Sequence, residues 1–286
     1  MTVAGTATAM ATGMIIGTID RAAPAVPTGR AYPACLFSGA GAAYTVAMIR
    51  LVGFDGDDTL WHSEGYYREA HAQFEVILGR YVDLDDALVH ERLLATERRN
   101  LHLFGYGAKG MTLSMIETAV EASGERISAH DVHRLIEIGK SVLAHPVELL
   151  SGIREAVATV AERHAVVLIT KGDLFHQEAK VARSGLGDLF HRIEIVSEKD
   201  PSTYTRVLGE FGLAPSQFAM VGNSLRSDIE PVLRLGGWGV HMPYAVTWAH
   251  EMEANVDEND VRLCRVDGPR QIPQAIQTLV ERAAAT

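Results

Sequence analysis

Cysteine is nearly absent: Cys35 and Cys264 are the only two in 286 residues, far apart and without a Cys-x-x-Cys pair. That excludes a disulfide framework and a thiolate zinc site, and it predicts a reducing, cytoplasmic setting. Long apolar runs are also missing, none reaching the roughly 18 residues of a membrane span. Basic clusters are missing too, in a chain whose formal net charge is −10. Nucleic acid and anionic lipid are bound chiefly through clustered Lys and Arg, so neither is an expected partner. The twelve histidines form no His-Glu-x-x-His or other zinc-ligand spacing, and His130, His133 and His145 read as solvated helix positions. No internal repeat is visible. What remains is a small-molecule partner and, at 47% hydrophobic and 22% charged residues, a chain able to bury a sizeable core.

Residues 1–47 differ from everything after them, being rich in Ala, Gly and Thr with Asp20, Arg21 and Arg30 as their only charges. They show neither sustained alternation nor a helical stripe, which predicts a poorly ordered leader. A secretory signal is the weaker reading, because no basic residue precedes the mildly apolar stretch around Met14 to Ile16. Met48 stands directly before a strand pattern, so translation starting there is an expectation that the intact mass of the native protein checks.

From Ile49 the run Ile49, Leu51, Val52, Phe54 predicts a buried strand ending in the acidic cluster Asp55, Asp57, Asp58. Residues from Glu64 to about Ala144 are helical in character, with apolar periodicity through Tyr67, Phe74, Ile77 and through Leu113, Ile116, Ala119, Val120. The Gly-containing segment Phe104 to Gly110 interrupts them. After Pro146, helices alternate with short β-branched strands near Ala165 to Thr170, Arg192 to Ser197, Phe218 to Gly222, Trp238 to Met242 and Val261 to Val266, which predicts a parallel sheet. Helices are expected near Ile153 to Arg163, Leu174 to Ser184, Pro201 to Phe211, Ser224 to Leu235 and Pro273 to Ala284. The fold class is therefore α/β, with a core over 48–61 and 146–286 and a helical insert over 62–145.

Four polar signals fall just past four successive strands: Asp55 with Asp57, Thr170 with Lys171, Lys199, and Asn223 with Asp228. In a parallel sheet those ends share one edge, so the residues converge on one crevice. Carboxylates facing a phosphate dianion repel it by about 4 kcal/mol per pair of unit charges at 4 Å and an effective dielectric near 20. A cation is thus required, and oxygen ligands without Cys or His select a hard ion, Mg²⁺. Lys199 suits a point-charge phosphate contact, Thr170 and backbone N–H groups near Gly172 suit the phosphoryl oxygens, and Lys171 is a further candidate there. Asp55 is the candidate nucleophile and Asp57 the candidate general acid/base. A Ca²⁺ loop does not fit, since the sixth position from Asp55 is Leu60 rather than Gly and the twelfth is Tyr66 rather than Glu.

The stretch Phe-Asp-Gly-Asp-Asp-Thr-Leu (Phe54 to Leu60) resembles the DxDxT first motif of the haloacid dehalogenase superfamily. Ile-Thr-Lys-Gly-Asp (Ile169 to Asp173), Ser-Glu-Lys-Asp-Pro (Ser197 to Pro201) and Val-Gly-Asn-Ser-Leu-Arg-Ser-Asp-Ile (Val221 to Ile229) resemble its second, third and fourth. The resemblance implies a Rossmann-like core, a helical cap inserted between the first two motifs, and a Mg²⁺-dependent phosphatase working through an aspartyl phosphate on Asp55, with Asp55, Asp57, Asn223 and Asp228 as candidate metal ligands. Two positions depart from the pattern: Asn223 where the fourth motif usually has Asp, and Asp58 where Gly is commonest. Dehalogenating and phosphonate-cleaving members lack the second acidic residue of the first motif, so Asp57 argues against both. A phosphosugar mutase and a catalytically silent phosphate-ligand-binding protein remain as alternatives. Trp61, His62, Tyr66, Tyr106 and Lys109 are candidates for reading a substrate, with a sugar phosphate or nucleotide expected; the sequence leaves oligomeric state open.

Overall fold

The computed structural model describes residues 49–85, 88–245 and 254–285; the expected leader and Met48 lie outside the described residues. The core is a six-stranded sheet in the order β3-β2-β1-β4-β5-β6, built from β1 (Leu51–Phe54), β2 (Ala165–Lys171), β3 (Arg192–Val196), β4 (Phe218–Gly222), β5 (Trp238–His241) and β6 (Leu263–Arg265). Every pairing is parallel. All four residues of β1 are buried, as expected of a central strand covered on both faces. Its alternate residues divide between two layers. Val52 and Phe54 join Val166, Leu168 and Val221 under α5 (Ile153–Ala161) and α9 (Ile272–Ala284). Leu51 joins Val167, Ile169 and Met220 under α7 (Pro201–Phe211) and α8 (Glu230–Leu235).

Between β1 and α5 the chain forms α1 (Glu64–Leu78), α2 (Val89–Phe104), α3 (Ala108–Ala122) and α4 (Ala129–Ala144). These pack on an apolar cluster of their own, with Phe74, Ile77, Leu93, Met115 and Leu135 at its centre. In α3 the buried face is Met111, Met115 and Ala119 with Ser114 and Thr118. The expected stripe through Leu113 is corrected, Leu113 being exposed. Apolar content misplaced that face because two small polar residues lie on the inward side.

Helix ends explain where the sequence reading was accurate. α6 (Leu174–Ser184) begins at Asp173, whose carboxylate accepts the His176 N–H, and ends at Gly185 in the left-handed conformation. α7 begins at Asp200 with Pro201 in its first turn and ends at left-handed Gly212. Both are strong local start and stop signals. The single helix expected over Ser224 to Leu235 is instead two pieces, a π-helical turn Leu225–Ile229 followed by α8. Pro231 has no N–H to continue the first piece, and a wide turn of this kind re-aims side chains, here Asp228. Among the described residues no helix is long and apolar enough to cross a membrane.

Candidate active site

The parallel register sets Phe54 beside Leu168 and Val221, so the loops after β1, β2 and β4 leave the sheet on one edge, and β3 follows with Thr170 beside Ile195. Asp55 continues β1, its N–H donating to Val221 O at 2.9 Å, and its side chain is buried. Lys199 Nζ donates to Asp55 Oδ1 and, at 2.7 Å, to Asp228 Oδ1. The second oxygen of each carboxylate is also held: Thr59 Oγ1 donates to Asp55 Oδ2 at 3.1 Å, and the Ser224 N–H to Asp228 Oδ2 at 3.0 Å. One buried ammonium thus serves two buried carboxylates. Burial pushes the Asp55 carboxyl up to about 7 against the pull of Lys199, and the Asp228 charge adds to the push. Burial opposes the Lys199 charge, but Asp228 and Asp55 outweigh it and hold the ammonium above its ordinary range.

Asp57 faces the same cavity but has different partners. Lys180 Nζ from α6 lies 2.8 and 3.0 Å from its two oxygens, Gln177 Nε2 donates to Oδ2 at 2.9 Å, and Trp61 Nε1 donates to Oδ1. Burial works to raise this carboxyl, yet the Lys180 charge and the hydrogen bonds from Lys180, Gln177 and Trp61 prevail and lower it. Two carboxylates two residues apart are therefore driven in opposite directions, Asp57 being the more readily ionised of the two.

Asp58 has φ +60, a conformation open to Gly and tolerated by Asp. Its carboxylate accepts the N–H groups of Ser63 and Glu64 at 2.9 to 3.1 Å and so holds the start of α1. Gly56 leaves room that a side chain would take, since a Cβ there would come within 2.9 Å of Thr170 Oγ1. Thr170 is buried and lines the cavity with Lys171, Gly172, Lys199, Asn223 and Asp228. Lys171 Nζ donates to Ser227 Oγ at 2.8 Å and lies 4.2 Å from the Tyr106 ring centroid.

Asn223 bears on metal binding. Its Oδ1 position lies 3.1 Å from Asp55 Oδ2 and 3.3 Å from both Asp57 O and Thr59 Oγ1. With the amide turned over, its nitrogen donates to all three. With the oxygen inward, Asn223 Oδ1 meets Asp55 Oδ2 and Asp57 O with no donor between them. Oxygens on one edge of a Mg²⁺ octahedron stand roughly 2.9 Å apart, from metal–oxygen distances of about 2.0–2.1 Å. A carboxylate, a backbone carbonyl and an inward amide oxygen are the donor types that suit a small hard cation, whereas the turned-over amide satisfies the same atoms by hydrogen bonds. The charge of the set is thin: among the described residues no three His, Cys, Asp or Glu side chains are grouped to hold a metal, and Asp228 is engaged by Lys199 and Ser224.

The site opens into a cavity of about 180 Å³ between the sheet edge and the helical insert. Of the expected substrate readers, Tyr106 lines it and donates to Glu198 Oε2 at 2.7 Å. Lys109 pairs with Asp173 at 2.9 Å. Trp61, His62 and Tyr66 line a separate, smaller pocket, with His62 Nδ1 2.6 Å from Tyr244 Oη and Tyr66 stacked on His145. Sequence reasoning missed Gln177, Lys180, His71, Glu97, Asn100 and Ser114. One signal was available for Lys180. It sits with Gln177, Val181 and Ser184 on the buried face of α6, where a lysine is out of place unless paired.

A sequence model of haloacid dehalogenase-like hydrolases matches residues 49–236. The chain is 57% identical to a haloacid dehalogenase-like family hydrolase from Xanthomonas campestris, with TM-score 0.76, covering 83% of this chain and 94% of that one. A 2-haloacid dehalogenase from Pseudomonas syringae is 21% identical over 80% of this chain and 99% of that one, with TM-score 0.54. The HAD-hydrolase YfnB from Bacillus subtilis, solved bound to magnesium, is 15% identical over the same shares with TM-score 0.54. No curated protein matches the chain.

Proposed function

The chain belongs to the haloacid dehalogenase-like hydrolase family, and from that premise we propose that it is a Mg²⁺-dependent phosphatase acting on a small phosphate monoester. The observation that carries this is Asp57. A dehalogenase acting through Asp55 has no use for a second carboxylate oriented by Lys180, Gln177 and Trp61 toward the same cavity. A phosphatase needs one to move a proton to and from the departing alcohol.

In this reading Lys199, Thr170 and the N–H groups around Gly172 receive the phosphoryl oxygens. Asp55 Oδ attacks phosphorus, an Asp55 acyl phosphate forms, the ester P–O bond breaks, and Asp57, holding the proton that the phosphate monoanion gives up on binding, passes it to the leaving alkoxide. Water then gives its proton to Asp57 and attacks phosphorus, the bond to Asp55 breaks, and inorganic phosphate leaves with both carboxylates restored. Asp55, the Asp57 carbonyl and Asn223 are the residues that would hold Mg²⁺, with Asp228 beside them through Lys199. The ion would neutralise phosphate charge and keep Asp55 ionised. Residues 62–145 act as the cap over a core of 48–61 and 146–286, and the chain's charge and cysteine content suit a cytoplasmic enzyme.

The test is phosphate release from p-nitrophenyl phosphate and a panel of sugar phosphates and nucleotides, with Mg²⁺ and with EDTA. Metal-dependent release that disappears in Asp55→Asn is the expected result. An isomeric sugar phosphate as product points to a mutase instead. No turnover by folded protein at any Mg²⁺ concentration returns weight to a silent binder.

A further inference from the structure

Beside its apolar cluster the helical insert buries polar side chains, and three of them meet the cavity. Glu97, Asn100 and Ser114 are 8, 5 and 1% exposed and line the cavity. Each is fixed in place. His71 Nε2 stands 2.9 Å from Glu97 Oε1, and Asn100 Nδ2 donates to Ser114 Oγ at 3.2 Å and to Glu117 Oε2 at 2.7 Å. Burying such groups in a helical bundle costs stability that Leu or Met would not, and Met111 and Met115, on the helix that carries Ser114, and Leu93, on the helix that carries Glu97 and Asn100, are apolar residues buried beside them. A braced polar wall beside the phosphoryl site is an arrangement for hydrogen-bonding the part of the substrate that leaves.

The aromatic content of the wall narrows the class. Apart from histidine, the aromatic residues lining the cavity among the described residues are Tyr67 and Tyr106. Tyr67 packs against the insert's apolar cluster, and the Ala108 N–H bonds its hydroxyl. One face of Tyr106 is taken by the Lys171 ammonium. A nucleobase is normally held by stacking on an open ring face; Tyr67 is packed and hydrogen-bonded within the insert, and Tyr106 already carries a cation on one face.

We propose that this wall reads a polyhydroxylated leaving group, so that the substrate is a sugar or sugar-alcohol phosphate rather than a nucleotide, with Glu97 and Asn100 as the specificity-determining residues. The proposal rests on the phosphatase reading for the position of the phosphate. A wall built for hydroxyls discriminates strongly against an ester lacking them, whereas an apolar pocket does not.

Calorimetry on the Asp55→Asn protein with Mg²⁺ separates the two ideas, because it needs no turnover. Sorbitol 6-phosphate and glucose 6-phosphate are expected to bind about tenfold or more tightly than ethyl phosphate or AMP. Adding Glu97→Gln or Asn100→Ala should narrow the ratio of sugar phosphate to ethyl phosphate to within about threefold. Ser114→Ala, which removes a brace of Asn100 without touching charge, should narrow it partway and serves where a larger change prevents folding. Equal binding of ethyl and sugar phosphates, tighter binding of AMP, or no binding of any of the four overturns the inference. Phosphate release from p-nitrophenyl phosphate by the unaltered protein tests the phosphatase reading separately.

Discussion

Lys180 Nζ sits 2.8 and 3.0 Å from the two carboxylate oxygens of Asp57, a residue 123 positions earlier in the chain. The contact ties the candidate acid/base to α6 rather than to its own loop, and Ser63 Oγ at 3.3 Å completes the lysine's surroundings. Replacing Lys180 with Met keeps the length of the side chain and removes what orients Asp57. General acid catalysis contributes about 10²- to 10⁴-fold, so kcat for an alkyl phosphate should fall about 100-fold. p-Nitrophenolate leaves without a proton, and its ester should lose far less. Equal losses for the two esters would mean that Lys180 does not act through Asp57.

Lys199 stands between Asp55 and Asp228 with all three side chains buried. Lys199→Met leaves two carboxylates facing each other, and breaking a buried pair from one side costs about 3–5 kcal/mol. The loss should be larger at pH 7.5 than at pH 5.5, since Asp55, already raised to about 7, can take up a proton at the lower pH. Urea denaturation at both values reads this. Asp55→Asn removes one of two competitors for the same ammonium, and it should change stability by less than about 1 kcal/mol while ending turnover.

These two pairs differ in how far the sequence disclosed them. Asp55, Lys199 and Asp228 follow strands and Thr170 stands at the end of one, each strand marked by its β-branched pattern, so a parallel sheet brings them together whatever the side-chain detail. Lys180 lies in mid-helix, and its pairing depends on which face of α6 turns toward the first loop, a tertiary fact with little local trace. The polar wall of the insert was hidden for a similar reason. Ser114 and Thr118 look like solvent positions in the sequence although both lie on the buried face of α3, which is also why apolar content alone points Leu113 inward. The boundaries of α6 and α7 were legible because Asp caps and left-handed glycines are local chemistry. The π-helical turn before α8 has no comparable marker apart from Pro231.

Asn223 offers an amide oxygen where a carboxylate would add a full charge beside Asp55 and the Asp57 carbonyl. Asn223→Asp should tighten Mg²⁺ binding by about tenfold, because affinity at oxygen sites follows the ligand charge. A Mg²⁺ titration in which the unaltered protein binds more tightly than the variant contradicts a cation site at these three oxygens.

Glu64 opens α1 at the edge of the cavity, and burial, then the neighbouring Asp58 charge, raise its carboxyl from 4.5 to about 8. Between those values the unfolded chain has lost a proton that the folded chain keeps, so this group's contribution to stability is fully present below about 4.5 and is lost as pH rises through about 8. Glu64→Gln should therefore match the parent protein at acid pH and exceed it by about 1 kcal/mol at pH 8.5, after allowance for solvent screening. Urea midpoints across the range check it. A difference that does not change with pH removes the assigned role of Glu64.

Gly222 closes β4 directly under the aspartate that Lys199 holds. A Cβ at this position would lie 2.2 Å from Asp228 Oδ2, 2.3 Å from its Cγ and 2.5 Å from its Cβ, and the carboxylate has no freedom to retreat while Lys199 and the Ser224 N–H bind it. The conflict is steric, since the left-handed backbone that favours glycine does not occur at this position. Gly222→Ala should cost about 2–3 kcal/mol, the range of an overpacked interior site, and should depress turnover by pushing Asp228 off Lys199. Asp228→Gly supplies the control, because it clears the space that the new methyl needs. In that background Gly222→Ala should cost at least about 1 kcal/mol less than it does alone, a coupling of the size expected for residues in contact. Purely additive losses in urea would place the strain elsewhere and would leave the absence of a side chain at Gly222 unconnected with the aspartate it touches.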